Sequence, residues 1–536
     1  MSNELKTTLC AILINAAHRY PDRDAIVFPD HRLTYSGLLQ QSRTIAKAML
    51  ASDIKPGDHV GVLATNRPEY LPILFACTLI GAVAVLLNAR FRTQELQHTV
   101  RHCDLKWIVA GNIAAVPHID RLREAFPDID KLPSATTAAI STAPLLECVV
   151  TLDANTGNSC QGWNELLTKA SLVDEEALNI AIDNVDPFST ALIMFTSGTT
   201  SMPKGCALNH DSVFLTSAAM RDRLSVSTED VMWDPLPMFH MASILPLLSL
   251  MHEGGTFLTD TAVDIDRAIA QIHDEQATFL YPAFPAIMAD LLSHPEFRPE
   301  ELGCVRLINN IAHAETLRAN MSALPSATHI SAYGMTELSG IASHTNPSDP
   351  AEERINNCGQ PYPGVDVEIK NPESGVTCPL GQQGEICVRG FSIFQGYYKL
   401  PEENKKAFDA EGWFHTGDLG SLDAKGRIRF HGRLKDMLKV GGENVSPLEI
   451  EAWLSSHPDV VTAQVVGMPD TRLDEVVAAF VEVRKGAQLG EQDIIDFCAG
   501  QLASYKAPRI VRFISEWPMS ATKIQKSELR KMLVEA

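Results

Sequence analysis

An α/β fold divided into at least two domains is what this chain predicts, and three observations carry the expectation. Its 536 residues exceed what one ordinary hydrophobic core organises. Through residues 1 to about 190, segments of helical periodicity alternate with short apolar runs, the pattern of helices packed on a mostly parallel sheet. From residue 433 to the end, the chain carries strand and helix signals of its own.

The elements follow in order. Residues 11–20 read as a helix, Asp24-Ala-Ile-Val-Phe28 as a strand, 34–51 as an amphipathic helix and 59–64 as a strand. Residues 93–103 form a helix with Thr93 as candidate N-cap, leading into a strand over 106–110. The stretch 71–87 is uncharged and near the lower length limit for crossing a bilayer. Gly81 divides it, and Ala82-Val-Ala-Val-Leu-Leu87 suits a buried strand after a buried helix, so we assign it to the core. Residues 113–157 show no period and read as irregular surface. Further on, 191–195 reads as a strand, 208–221 as a helix, 305–309 and 426–431 as strands. Ser446-Pro447 opens another helix, as an N-cap followed by proline at the first helical position. Strands over 463–467 and 476–483 and helices over 491–502 and 526–534 complete the C-terminal part. No repeat of fixed period is present.

Composition narrows the function. Lys plus Arg total 45 against 66 Asp plus Glu, a formal net charge of −21, which excludes the basic footprint of a nucleic-acid binder. It does not exclude ATP or CoA, because anion sites are local. The 11 cysteines are scattered without a C-x-x-C pair, so neither a zinc site nor a disulfide framework is expected, and a reducing cytoplasm is. The N-terminus lacks a basic region followed by an apolar core and does not read as a signal peptide.

Four stretches carry chemistry. In Met194-Phe-Thr-Ser-Gly-Thr-Thr-Ser-Met-Pro-Lys-Gly205, an apolar strand runs into Thr196, Ser197, Gly198, Thr199, Thr200 and Ser201: five hydroxyls and a glycine, a donor-rich concavity for phosphate oxygens. Lys204 adds a cation that can reach a pyrophosphate. A Walker loop it is not, since Pro203 and Gly205 stand where that motif needs Gly and Ser/Thr. Tyr333-Gly-Met-Thr-Glu337 combines an aromatic for a base, a glycine for close approach, and a hydroxyl and carboxylate for a metal-bound nucleotide. Glu411-Gly-Trp-Phe-His-Thr-Gly-Asp-Leu419 places Asp418 in a tight turn, where its two oxygens can accept two ribose hydroxyls. The fourth runs from Gly432-Arg433 through Gly441-Gly442 to Glu451.

In order and separation these four resemble the signatures of the adenylate-forming superfamily of acyl-CoA synthetases, amino-acid adenylation domains and luciferases, with Ser201 standing where the family usually has Gly. The resemblance covers nearly the whole chain. It implies a large N-terminal adenylation domain of α/β subdomains over 1–432, and a small mobile α+β domain over 433–536 hinged near Lys435. Thr196 to Lys204 then bind the pyrophosphate side of ATP, Tyr333 and Gly334 lie against adenine, Thr336 contacts phosphate, and Glu337 holds Mg²⁺. Ala312-His313-Ala314 stands where the family has an adenine-side turn. Asp418 and Arg433 hold the ribose side, and Gly441 and Gly442 line the pantetheine channel of CoA. His240, in Asp234-Pro-Leu-Pro-Met-Phe-His240, borders the acyl pocket where amino-acid adenylation domains carry Asp, which argues against an amino-acid substrate. The runs 242–250 and 278–286 supply apolar wall.

Near the end, Trp517-Pro-Met-Ser-Ala-Thr-Lys-Ile-Gln-Lys526 resembles the family's terminal lysine motif one residue short, making Lys523 the adenylation lysine and Lys526 its alternative. The implied reaction joins a carboxylic acid to CoA through an acyl-adenylate. The sequence Val440-Gly-Gly-Glu-Asn-Val-Ser446 is similar to CoA ligases for fatty, carnitine-like, alicyclic or steroid-derived acids, so a medium-chain, alicyclic or steroid-derived acid is the expected substrate. An aryl-acid CoA ligase, a stand-alone enzyme loading a carrier protein, and a nucleotide-binding relative without turnover are the competing readings. The family also admits a homodimer, which no residue of the sequence indicates.

Overall fold

The computed structural model describes the chain except residues 1–5, 113–116, 135–139, 154–160, 197–201, 313, 441–442, 500, 521–522 and 535–536. Two large sheets face each other across a common core. The first has seven strands in the order Thr328–Ile330, Leu307–Asn310, Phe279–Ala283, Val231–Trp233, Thr256–Leu258, Asp24–Phe28 and His31–Thr34. All its pairings are parallel except that of the last two strands. The second has eight, from Gly396–Tyr397 through Lys204–Asn209, Thr190–Thr196, Val83–Leu86, His59–Leu63, Leu105–Ala110 and Cys148–Thr151 to Gln161–Gly162. Helices Leu9–Arg19, Tyr35–Ala51, Tyr70–Leu79, His210–Leu224 and Met241–Met251 pack between the sheets against the inward apolar residues of their strands, while Val83, Val85, Ile108 and Ile193 on one outer face and Trp233, Leu258, Leu280 and Ile308 on the other form separate clusters.

The stretch 71–87 is interior. Helix Tyr70–Leu79 is buried on every side, Gly81 turns at φ +71°, and Val83–Leu86 is a central strand. Among the described residues no helix is long and apolar enough to cross a membrane. Two expectations need correction. Residues 113–157 are not wholly irregular, because they contain helix His118–Ala125 and strand Cys148–Thr151, the latter extending the eight-stranded sheet beside Leu105–Ala110. Thr93 is the first residue of helix Thr93–His102 and not its cap; Arg92 holds that position, and its backbone N–H donates to Glu95 at 2.9 Å.

A four-stranded antiparallel sheet, Val365–Lys370, Gly384–Gly390, Phe414–Leu422 and Ile428–Arg433, follows the two large ones. One short turn, Leu434–Asp436, leads from it to the C-terminal sheet of Glu443–Val445, Leu438–Val440, Asp474–Val483, Val460–Asp470 and Ile510–Phe513. Both faces of this last sheet are covered by residues from 438 to 533 alone. Ser446 does precede helix Pro447–Ser455, yet its hydroxyl donates to His431 O at 2.9 Å and makes no cap bond. It ties the helix start to the strand before the turn.

Candidate active site

The antiparallel ladder between Phe414–Leu422 and Ile428–Arg433 sets Asp418 directly opposite Arg433. Arg433 Nε lies 3.3 Å from Asp418 Oδ1, and Tyr333 donates its hydroxyl to Asp418 Oδ2 at 3.0 Å. Thus Tyr333 and Arg433, far apart in sequence, converge on one carboxylate. Burial, with the Asp418 charge beside it, pushes the Tyr333 phenol well above its ordinary range, so it serves as a donor. Phe430 stands 6.2 Å from the Tyr333 ring, centroid to centroid, and is the partner aromatic of this wall. One aromatic in an exposed strand position carries no signal in the sequence alone.

Asp418 lies within a strand and not in a free turn. Gly417, at φ +71°, bends the strand, and Thr416 spans the bend by donating to Ile386 O at 2.7 Å and accepting from Asp418 N–H at 3.1 Å. Glu385 supports it from below, accepting from Gly417 N–H at 2.9 Å and pairing with His415 Nδ1 at 2.7 Å. Glu385, Cys387 and His415 bring ligand-type atoms within 4.8 Å of one another. Both Glu385 oxygens are engaged in the hydrogen bonds just named, so the trio reads as a buttress for Asp418.

A second group gathers around Tyr397. Thr196 and Lys204 pair across the ladder that closes the hydroxyl-rich loop, and Tyr397 pairs with Cys206 on the next strand. The Lys204 ammonium stands 5.0 Å from the Tyr397 ring centroid and is ion-paired with Glu403. The Tyr397 hydroxyl donates to Glu337 Oε1 at 2.9 Å. Tyr397 therefore links the loop's lysine to the buried Glu337. Neither Tyr397 nor Glu403 was marked in the sequence, where Gln395-Gly-Tyr-Tyr398 looks like an ordinary loop. Ser197, Gly198, Thr199 and Thr200 lie outside the described residues, as do His313, Gly441 and Gly442.

Thr336 opens the short helical turn Thr336–Leu338, whose Glu337 and Leu338 are buried. Gly334 has a reason within the protein itself: a Cβ there would meet Gly340 O at 2.0 Å. His240 is the N-cap residue of helix Met241–Met251, its ring 4.7 Å from that of Phe239. The helix is apolar and buried almost throughout, as wall material should be.

Lys435 sits in the connecting turn with its residue surface exposed, and partial desolvation of the ammonium together with the charge of Arg433 lowers it below the ordinary lysine range. Lys523 lies in a two-stranded hairpin, Met519–Ser520 with Lys523–Ile524; its side chain is outside the described ones. Lys526 is committed elsewhere. Its Nζ is 2.6 Å from Glu451 Oε1, and that carboxylate, only 2 % exposed, also accepts Val465 N–H at 2.7 Å.

A family model described as AMP-binding enzyme matches residues 13–398, and one described as AMP-binding enzyme C-terminal domain matches residues 449–523. The chain is similar to the putative acyl-CoA synthetase YngI of Bacillus subtilis (strain 168), with 31% identity over 543 residues covering 100% of this chain and 98% of that protein. It is also similar to the mitochondrial medium-chain acyl-CoA ligase ACSF2 of Rattus norvegicus, at 28% identity over 99% of this chain and 88% of that protein. Among solved structures, ATP-bound MatB from Rhodopseudomonas palustris superposes with a TM-score of 0.85 at 28% identity, covering 98% of this chain and 99% of that one.

Proposed function

We propose that this chain, which belongs to the AMP-binding enzyme family and is an AMP-forming acid–CoA ligase, activates a medium-chain or alicyclic carboxylic acid. The observation that carries the site reading is the convergence of Tyr333 and Arg433 on Asp418, with Glu337, Tyr397 and Lys204 forming a second, phosphate-side group. A carboxylate is a poor electrophile until its oxygen becomes a good leaving group. Attack on the α-phosphorus of ATP makes AMP that group, pyrophosphate departs, and the CoA thiol then displaces AMP at the acyl carbon.

For the first step the protein positions and neutralises charge. Asp418 takes the ribose hydroxyls and Tyr333 walls the adenine. Lys204 leaves Glu403 for the phosphates, an exchange of one anion for another. Glu337 offers a buried, hard carboxylate oxygen of the kind that would hold Mg²⁺. When bound, the ion offsets charge on the departing pyrophosphate. Lys523 balances the charge between carboxylate and α-phosphate. For the second step Lys523 withdraws, and the turn around Lys435 is the hinge about which the C-terminal domain rotates.

The substrate range rests on the buried apolar helix Met241–Met251 and on the likeness to a ligase named for medium-chain acids. Pyrophosphate and AMP release with ATP, Mg²⁺ and CoA, across short, medium, long, alicyclic, aryl and amino acids, tests it. Acyl-CoA formed best with medium-chain or alicyclic members is expected. Pyrophosphate released without acyl-CoA would move the acceptor to a carrier protein, and preference for aryl or amino acids would overturn the substrate reading.

A further inference from the structure

The seven-stranded sheet carries a row of polar side chains at the carboxyl ends of its parallel strands. Register fixes the row. Trp233 pairs with both Leu258 and Leu280, so the next residues, Thr259, Asp234 and Tyr281, stand level. Ile308 also pairs with Leu280, and the irregularity that follows sets Asn309 opposite Tyr281 and Pro282. Alternation decides the face. Met232, Phe279 and Leu307 belong to the core between the two large sheets, whereas Trp233, Leu280 and Ile308 belong to the outer one. Asp234, Tyr281 and Asn309 therefore point inward, where an open parallel sheet takes its ligands.

Asp234 and Asn309 are fully buried, and Asp234 Oδ2, Asn309 Oδ1 and Asn309 Nδ2 have no hydrogen-bond partner. Asp234 Oδ1 accepts Leu236 N–H at 2.8 Å, and Thr259 accepts from Asn66 Nδ2 at 3.0 Å. Native proteins seldom leave buried polar atoms unpaired, and adjacent ones mark a place that a further group completes. Burial holds the Asp234 carboxyl well above the usual carboxylate range, so the row is neutral and offers both donors and acceptors.

We propose that Asp234, Tyr281 and Asn309 form the far wall of the acid pocket and select an acid whose apolar body ends in a neutral hydrogen-bonding group, a hydroxyl or keto oxygen. This rests on the ligase reading above and deepens it. An apolar pocket discriminates weakly against an added hydroxyl, but a pocket built to bond one discriminates strongly against its loss.

The test uses the full-length protein with ATP, Mg²⁺ and CoA. From hexanoic to decanoic acid, each plain acid is compared with its hydroxy and keto counterparts functionalised next to the chain end. At the best-fitting length, kcat/KM is expected to favour the functionalised member by at least about tenfold. Asp234→Leu and Asn309→Leu should collapse that ratio, chiefly by loss on the functionalised acid. Where a leucine variant does not fold, Tyr281→Phe and Asp234→Asn serve, read by the same ratio. Plain acids preferred at every length would overturn the proposal. So would variants that lower both members alike along with Tm, since the row would then be structural. No acyl-CoA from any acid would instead overturn the ligase reading beneath it.

Discussion

Asp418 does three things with one carboxylate: it holds Tyr333, pairs with Arg433 and faces the position assigned to the ribose. Asp418→Asn keeps the shape but loses the charge-assisted bonds, so KM for ATP should rise by about tenfold to a hundredfold, with the melting temperature little changed. An unchanged KM would remove Asp418 from the nucleotide site. Other single residues set the response to acid. Burial lowers His210 to about 4 and His252 and His344 to about 3, from the ordinary value near 6.5. Each is neutral in the fold and takes up a proton more readily in the unfolded chain. Their contribution to stability is thus complete above about pH 6.5, erodes below it, and is lost as pH falls through the folded values. Thermal melts should drop steadily from pH 6.5 toward 4. His210→Asn, which can still accept the Leu9 N–H now bonded to Nδ1 at 3.3 Å, should flatten part of that slope. A melt curve unmoved by the substitution would show that His210 does not titrate on unfolding.

At the scale of elements, the C-terminal hairpin and the helix after it divide two lysines that the sequence left open. Helix Lys526–Val534 is fastened by Lys526 to the buried Glu451 of helix Pro447–Ser455, while Lys523 lies in the hairpin just before. Lys526→Met strands a buried carboxylate and should cost about 3 kcal/mol of C-terminal domain stability, lowering both half-reactions together. Lys523→Ala should instead suppress adenylation while sparing thioester formation from a supplied acyl-adenylate. Selective loss of adenylation in Lys526→Met would reverse the assignment. The sequence could not separate the two because burial of Glu451 is a tertiary fact, made with Val465 on the strand that packs against its helix. Much else at this scale was legible. The break at Gly81, the strand of residues 24–28 and the helix from 526 to 534 follow from local periodicity and turn chemistry. What escaped depended on distant partners: strand Cys148–Thr151 is specified by its place beside Leu105–Ala110, and Tyr397 by pairing with Cys206. Motif order set Tyr333, Asp418 and Arg433 side by side as candidates, but only the folded chain shows that they touch.

For the whole molecule, separate cores joined by a single short turn predict separable unfolding. Differential scanning calorimetry should resolve the C-terminal domain as its own transition, and Lys526→Met should lower that transition alone; a single transition shifted as one would contradict the division near residue 433. The two parts also differ in how their strands are ordered along the chain. The seven-stranded sheet joins Asp24–Phe28 to Thr256–Leu258, and the eight-stranded sheet has Gly396–Tyr397 at one edge, whereas the C-terminal sheet draws only on residues from 438 onward. During synthesis, then, the seven-stranded sheet cannot close until residue 330 has left the ribosome, nor the eight-stranded one until residue 397 has, about three-quarters of the polypeptide. Its early strands must wait with apolar faces open, and nascent chains interrupted before that point should be the ones that engage chaperones or aggregate.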